Sequence, residues 1–118
     1  MATITPVTPV LAGATVTRAA TTPAGDVIPY TGGDILVHFE NGHASPITVN
    51  IVPTVETLEA AGAGPVSVPT RSLAIVAGAE GAFLLREGQI SAYVNASRQI
   101  PITYTSGDAA LTVAAFRV

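Results

Sequence analysis

Residues 34–52 read DILVHFENGHASPITVNIV, and their pattern decides the class of the fold. Ile35, Val37 and Phe39 fall on one side of an extended chain, with Leu36, His38 and Glu40 on the other. After a break at Asn41–Pro46, Ile47, Val49 and Ile51 share a side against Thr48, Asn50 and Val52. Side chains alternate across a strand, so a period of two means β-structure with one buried face. Two such runs around a loop containing Asn-Gly predict a β-hairpin over 34–41 and 46–52. The loop is nearer six residues than two, which argues against a tight type I′ turn. No stretch of similar length has the spacing of an amphipathic helix, so the rest of the chain is expected to cover the apolar face of this unit.

Working outward, the flanking segments are short and heavily punctuated. Pro6 and Pro9 predict an extended arm or edge strand over residues 1–13, with a frayed end as the alternative. Residues 14–20 predict a short strand with Val16 inward. Pro23, Gly25-Asp26, Pro29 and Gly32-Gly33 predict a loop over 21–33, with Val27 and Ile28 tucked against the core. Residues 53–65, PTVETLEAAGAGP, offer one or two helical turns on Val55 and Leu58, but a surface loop is expected because so short a helix lacks support.

Further strands are expected at 66–69, 72–76, 91–95, 100–105 and 111–118, separated by turns at 78–81, 86–88 and 105–108. Pro101 has no N–H to give a ladder, so its N–H side should face outward or sit at a bulge. Seven or eight short strands with turn signals every 8–12 residues or so predict an all-β protein, an antiparallel β-sandwich of jelly-roll or immunoglobulin type with one core. The expected organisation is an arm at 1–13 and a sandwich domain at 14–118.

At 118 residues the chain suits one domain with a single core. It is 48% hydrophobic and only 11% charged, where about a quarter is usual. Either a partner covers much of the surface, or Thr and Ser do. The five cations are Arg18, Arg71, Arg86, Arg98 and Arg117, there is no lysine, and the net charge is −3. Scattered cations give no footprint for nucleic acid and no polybasic segment for a membrane surface. There is no cysteine, which removes disulfides and thiolate metal sites. The first eighteen residues carry no positive charge before Arg18 and are broken by Thr and Pro, so no signal peptide is expected.

Catalytic and ligand motifs fare poorly. His38 and His43 are the two histidines, and with Glu40 or Asp34 they make at best part of a metal set. No serine sits in a G-x-S-x-G elbow, and Ser106-Gly107-Asp108 reads as turn chemistry. A phosphate-binding Walker loop needs the absent lysine, and Gly62-Ala63-Gly64 does not continue to G-x-G-x-x-G. Glu56 and Glu59 read as a charged loop face. Asn95-Ala96-Ser97 matches a glycosylation sequon, which means little without secretion. The six aromatic residues are spread out, giving no stacking platform. No catalytic residue, cofactor or metal is expected, and an enzyme is the remote reading, a small hydrolase at most.

The order of the pieces resembles small virion proteins of tailed bacteriophages. Gly25-Asp26, Pro29, Gly32-Gly33-Asp34, Ile35-Leu36-Val37, Asn41-Gly42 and Pro46-Ile47-Thr48-Val49 open the pattern. Val66-Ser67-Val68-Pro69 marks its middle and Leu111-Thr112-Val113-Ala114-Ala115-Phe116-Arg117-Val118 its end. The likeness covers roughly residues 25–118, with segment 70–99 departing from it. It implies a head decoration, or cement, protein: a binder of the major capsid protein, oligomeric (a trimer by symmetry), with no nucleic-acid or membrane partner, made in the host cytoplasm and carried on the virion surface. The competing class is a receptor- or glycan-binding module of a fibre or tail. On either reading the Leu36–His38–Glu40 face is a candidate contact surface, and the loop carrying His43 belongs with it.

Overall fold

The computed structural model describes residues 2–54, 57–60, 62 and 64–118. The chain is nearly all β and forms two packed, largely antiparallel sheets, a β-sandwich. One sheet has the order β1 (Ala2–Thr3), β3 (Asp26–Pro29), β10 (Gln99–Thr105), β5 (Ile47–Ile51), β8 (Arg71–Ile75). The other has the order β2 (Ala19–Ala20), β11 (Leu111–Arg117), β4 (Ile35–Asn41), β9 (Glu80–Leu85). Seven strands of four to seven residues build these sheets, and β1 and β2 add two residues each.

The expected hairpin at 34–52 is not one. β4 pairs with β11 and β9, β5 pairs with β10 and β8, and the two runs therefore lie in opposite sheets. The alternation holds in both: Ile35, Val37, Phe39, Ile47, Val49 and Ile51 are all at most 1% exposed. As an arch, the two apolar faces cover each other across the sandwich, which a single-sheet hairpin cannot do. Burial of each such side chain is worth roughly 1.5–3 kcal/mol. Asn41 fixes the corner. Its fully buried amide nitrogen donates to the carbonyls of Ser45 (3.0 Å) and Ile75 (2.8 Å), and its Oδ1 accepts from the His43 N–H (2.9 Å). The Asn41 backbone is bonded to Ala79 and Gly78. One side chain thus ties the β4–β5 loop to the end of β8 and the turn that follows.

The two-sheet pattern extends along the chain. From β1 to β5, and again from β8 to β11, each successive strand joins the opposite sheet. Only β5 and β8 are chain neighbours within a main sheet, separated by β6 (Thr57–Ala60) and β7 (Gly64–Ser67). These two form an antiparallel hairpin where a loop or helical turn was expected. Val55 and Glu56, on which the helical alternative leaned, lie outside the described residues.

Other expectations also change. The segment 14–20 is strand only at Ala19–Ala20, and Val16 is 41% exposed rather than inward. Residues 26–29 are a strand rather than loop, because β10 offers them a full antiparallel partner that outweighs Pro29 at the end. Ser91–Tyr93 is a 3₁₀ turn rather than a strand, and it still buries Ala92 and Tyr93. Pro101 lies one residue before the ladder to β5 begins at Ile102, on a stretch paired only with β3.

The core is one cluster, and Phe39 is wholly buried within it. The Phe39 ring meets Phe83 of its own sheet edge-on (6.4 Å between centroids) and Tyr104 of the opposite sheet at 6.3 Å. Gly81 is paired with Phe39. A Cβ at Gly81 would stand 2.8 Å from Leu73 Cδ2 and 3.1 Å from two Ile75 side-chain atoms, so a larger residue there would have to push the β8 side chains aside.

Residues 2–7 lie along both sheets. β1 runs parallel to β3, Ile4 is buried, and Val7 bridges parallel to Phe116, with hydrogen bonds to Ala115 and Arg117.

Candidate contact surface

The outward side chains of β11, β4 and β9 stand in rows set by the register. Phe116, Leu36 and Leu84 form one row, Ala114, His38 and Ala82 the next, and Thr112, Glu40 and Glu80 the third. The first row is apolar and continues to Val7 through its bridge with Phe116. Leu84 is 45% exposed, and Leu36 and Phe116 are partly so. The third row is acidic.

Beyond Val7 the chain leaves the sheet edge and returns at β2, which pairs with Thr112 and Val113 of the same strand, β11. The ten residues between Val7 and Arg18, TPVLAGATVT, carry no charge and are all exposed. A loop of this length with both ends on one strand is an Ω-type loop, a class often used for function. A turn at its tip, with Gly13 at φ +91° and its N–H bonded to Val10, holds Leu11 wholly in solvent.

Arg18 fastens the returning end. Its Nε donates to Thr112 Oγ1 (3.1 Å) and lies 3.6 Å from Glu40 Oε2. Its two terminal nitrogens reach His38 Nδ1 (2.8 Å) and the carbonyls of Thr112 (3.0 Å) and His38 (3.4 Å). Guanidinium has only donors, so His38 Nδ1 must accept and its proton sits on Nε2, 3.7 Å from Glu80 Oε1. His38 and Glu40 thus meet on the face expected of them, and both are spent holding the loop. Arg18 was not singled out from the sequence. Its one signal was being the sole charge before Asp26.

The remaining residues weighed from sequence are occupied locally. His43 Nε2 lies 3.4 Å from Asp108 Oδ2 and its Nδ1 accepts from Ser45 N–H, so it braces two loops at one end of the sandwich. Asn95 Oδ1 accepts from the N–H groups of Ser97 and Gln99, closing a turn. Ser106 takes the left-handed conformation (φ +60°) of a turn residue. Among the described residues, no three His, Cys, Asp or Glu side chains come together as metal ligands would. No helix there is long and apolar enough to cross a membrane.

No known protein family, curated protein or solved structure matches this chain. The likeness to phage head proteins therefore stands on the residues quoted for it.

Proposed function

We propose that the chain is a non-enzymatic virion structural protein, a decoration or cement protein that binds the outer surface of a phage capsid and contacts the major capsid protein. The observation that carries this reading is the apolar row Leu84–Leu36–Phe116–Val7, which crosses a sheet face and runs into the uncharged, exposed loop 8–17. A contiguous apolar surface of this kind on a small domain marks an interaction site. Such a protein works by binding alone: it engages the assembled shell and not the dissociated subunits, so it stabilises the shell by mass action. Oligomerisation, a trimer on three-fold positions, follows from lattice symmetry. Against a glycan-binding module stands the placement of the rings: Tyr30, Phe39 and Tyr93 are buried, and Phe83, Tyr104 and Phe116 mostly covered, so none offers a free stacking face.

Purified protein is sedimented with empty heads that lack it, and head melting is followed by calorimetry. Co-sedimentation with a raised melting temperature is expected. Protein that stays in the supernatant and leaves head melting unchanged would overturn the reading. Light scattering of the free protein tests the trimer, and a monomer at high concentration would remove that part.

A further inference from the structure

The sandwich is open along one side. β8 ends the five-stranded sheet and β9 ends the four-stranded one, and among the described residues neither has a further strand beyond it. Between these edges lies a cleft of about 390 Å³, within the range of ligand-binding pockets. Ile51, Phe83, Leu85 and Ile90 supply its apolar wall, and Arg71 and Arg86 its cations. No described residue lining it is acidic. Among the described residues the arginine–carboxylate ion pair is Arg18–Glu40, so neither of these two arginines is paired there. A chain of net charge −3 thus places two of its five arginines on one apolar cleft with no carboxylate among its described lining residues. Guanidinium is a planar fork that fits carboxylate with paired hydrogen bonds.

The cleft also has a backbone side. Phe83, Leu84 and Leu85 line it, with Arg86 just beyond, so the C-terminal half of the β9 edge runs along it. An edge strand presents unpaired N–H and C=O groups, which an extended peptide can complete as an added strand. Neither lysine nor proline guards β9 against such pairing.

We propose that this cleft binds an extended acidic segment of a partner protein, one in which carboxylate side chains alternate with apolar ones. The segment adds to the free edge of β9, sets its apolar side chains against Phe83 and Leu85, and places its carboxylates on Arg71 and Arg86. This site stands on its own charges and edge, and holds whether or not the chain decorates a capsid.

The test is an NMR titration of ¹⁵N-labelled protein with three probes: a capped peptide alternating valine and glutamate, its valine–lysine counterpart, and hexanoate. Saturable amide shifts confined to residues 71–73 and 80–86 are expected with the glutamate peptide, weakening as salt rises. Arg71→Gln and Arg86→Gln should each loosen binding by about tenfold. Both side chains are exposed at strand ends, and the variant spectra report folding directly. No saturable shift, or an equal response to the lysine peptide, would overturn the proposal without any variant. Unchanged affinity in a folded double variant would do the same. Saturation by hexanoate alone would make this a site for small carboxylates, and the peptide assignment would fall.

Discussion

Tyr104 on β10 donates its hydroxyl to Oδ2 of Asp26, the first residue of β3, across 2.7 Å. Asp26 is wholly buried, and its carboxylate also accepts the N–H groups of Ala2 (3.1 Å) and Thr22 (3.1 Å). One side chain therefore holds the start of the chain, the turn before β3 and the middle of the sheet. Asp26→Ala leaves these donors without a partner, and the expected loss is roughly 2–4 kcal/mol. Urea denaturation measures it, and a change within error would show that water replaces the carboxylate at no cost.

The same pair sets an alkaline limit. Burial first, then the bond to Asp26, holds the Tyr104 hydroxyl well above the ordinary tyrosine range, and burial raises Tyr30 too. The folded state thus keeps its tyrosine protons where the unfolded chain gives them up. Their contribution is fully present below the unfolded value of about 10 and is lost as pH climbs beyond it. Urea midpoints should be level through neutral pH and fall in strong alkali. Tyr104→Phe should be weaker at neutral pH but show a shallower alkaline fall. A wild-type midpoint that stays level in strong alkali would contradict the linkage.

Asn41 uses both amide hydrogens and its carbonyl oxygen at the arch. Asn41→Leu should cost about 2–4 kcal/mol, since the buried Ile75 carbonyl, the Ser45 carbonyl and one N–H lose their partner. Asn41→Asp turns an acceptor toward the Ser45 and Ile75 carbonyls, so its folded acid form is favoured. That variant should be most stable in acid and weaken as the pH rises. A pH-independent loss would mean that the corner rearranges.

Arg18→Ala removes the clasp over His38 and Thr112. Its partly exposed contacts limit the global cost to about 1 kcal/mol. Amide exchange in residues 8–20 should quicken, while β4 and β10 stay protected. Equal exchange in the variant would show that Val7 and β2 hold the loop unaided.

Leu11 is fully exposed, so Leu11→Asp should leave stability within about 0.5 kcal/mol. If loop 8–17 faces the capsid, the substitution puts a charge into that interface, and co-sedimentation with empty heads should fall by at least about tenfold. Unimpaired binding would move the contact elsewhere on the surface.

The alternation that announced β4, β5, β10 and β11 was legible because every second residue must be buried on one face. Their assignment to sheets was not. A hairpin and an arch share both the alternation and the turn residues Asn41-Gly42, and the difference lies in what Asn41 bonds, Ile75, which is thirty-four residues away. Asp26–Pro29 looked like loop because Gly25 and Pro29 punctuate it, while the partner that makes it a strand is β10, far along the chain. The face bearing His38 and Glu40 was legible from their position opposite Phe39. The loop at 8–17 was legible only as extended chain, since its attachment to β11 depends on residues about a hundred positions later.

Because successive strands cross between sheets, almost no pairing can form as the chain is made. β4 waits for β9 on one side and for β11 on the other. The four-stranded sheet has no centre until residues 111–117 exist. Folding should accordingly be slow for so small a domain and all-or-none, with loop closure preceding any reward from burial. A chain stalled before residue 111 would expose the Val37 and Phe39 face with its neighbour missing, so premature termination here should yield aggregates rather than a smaller folded protein.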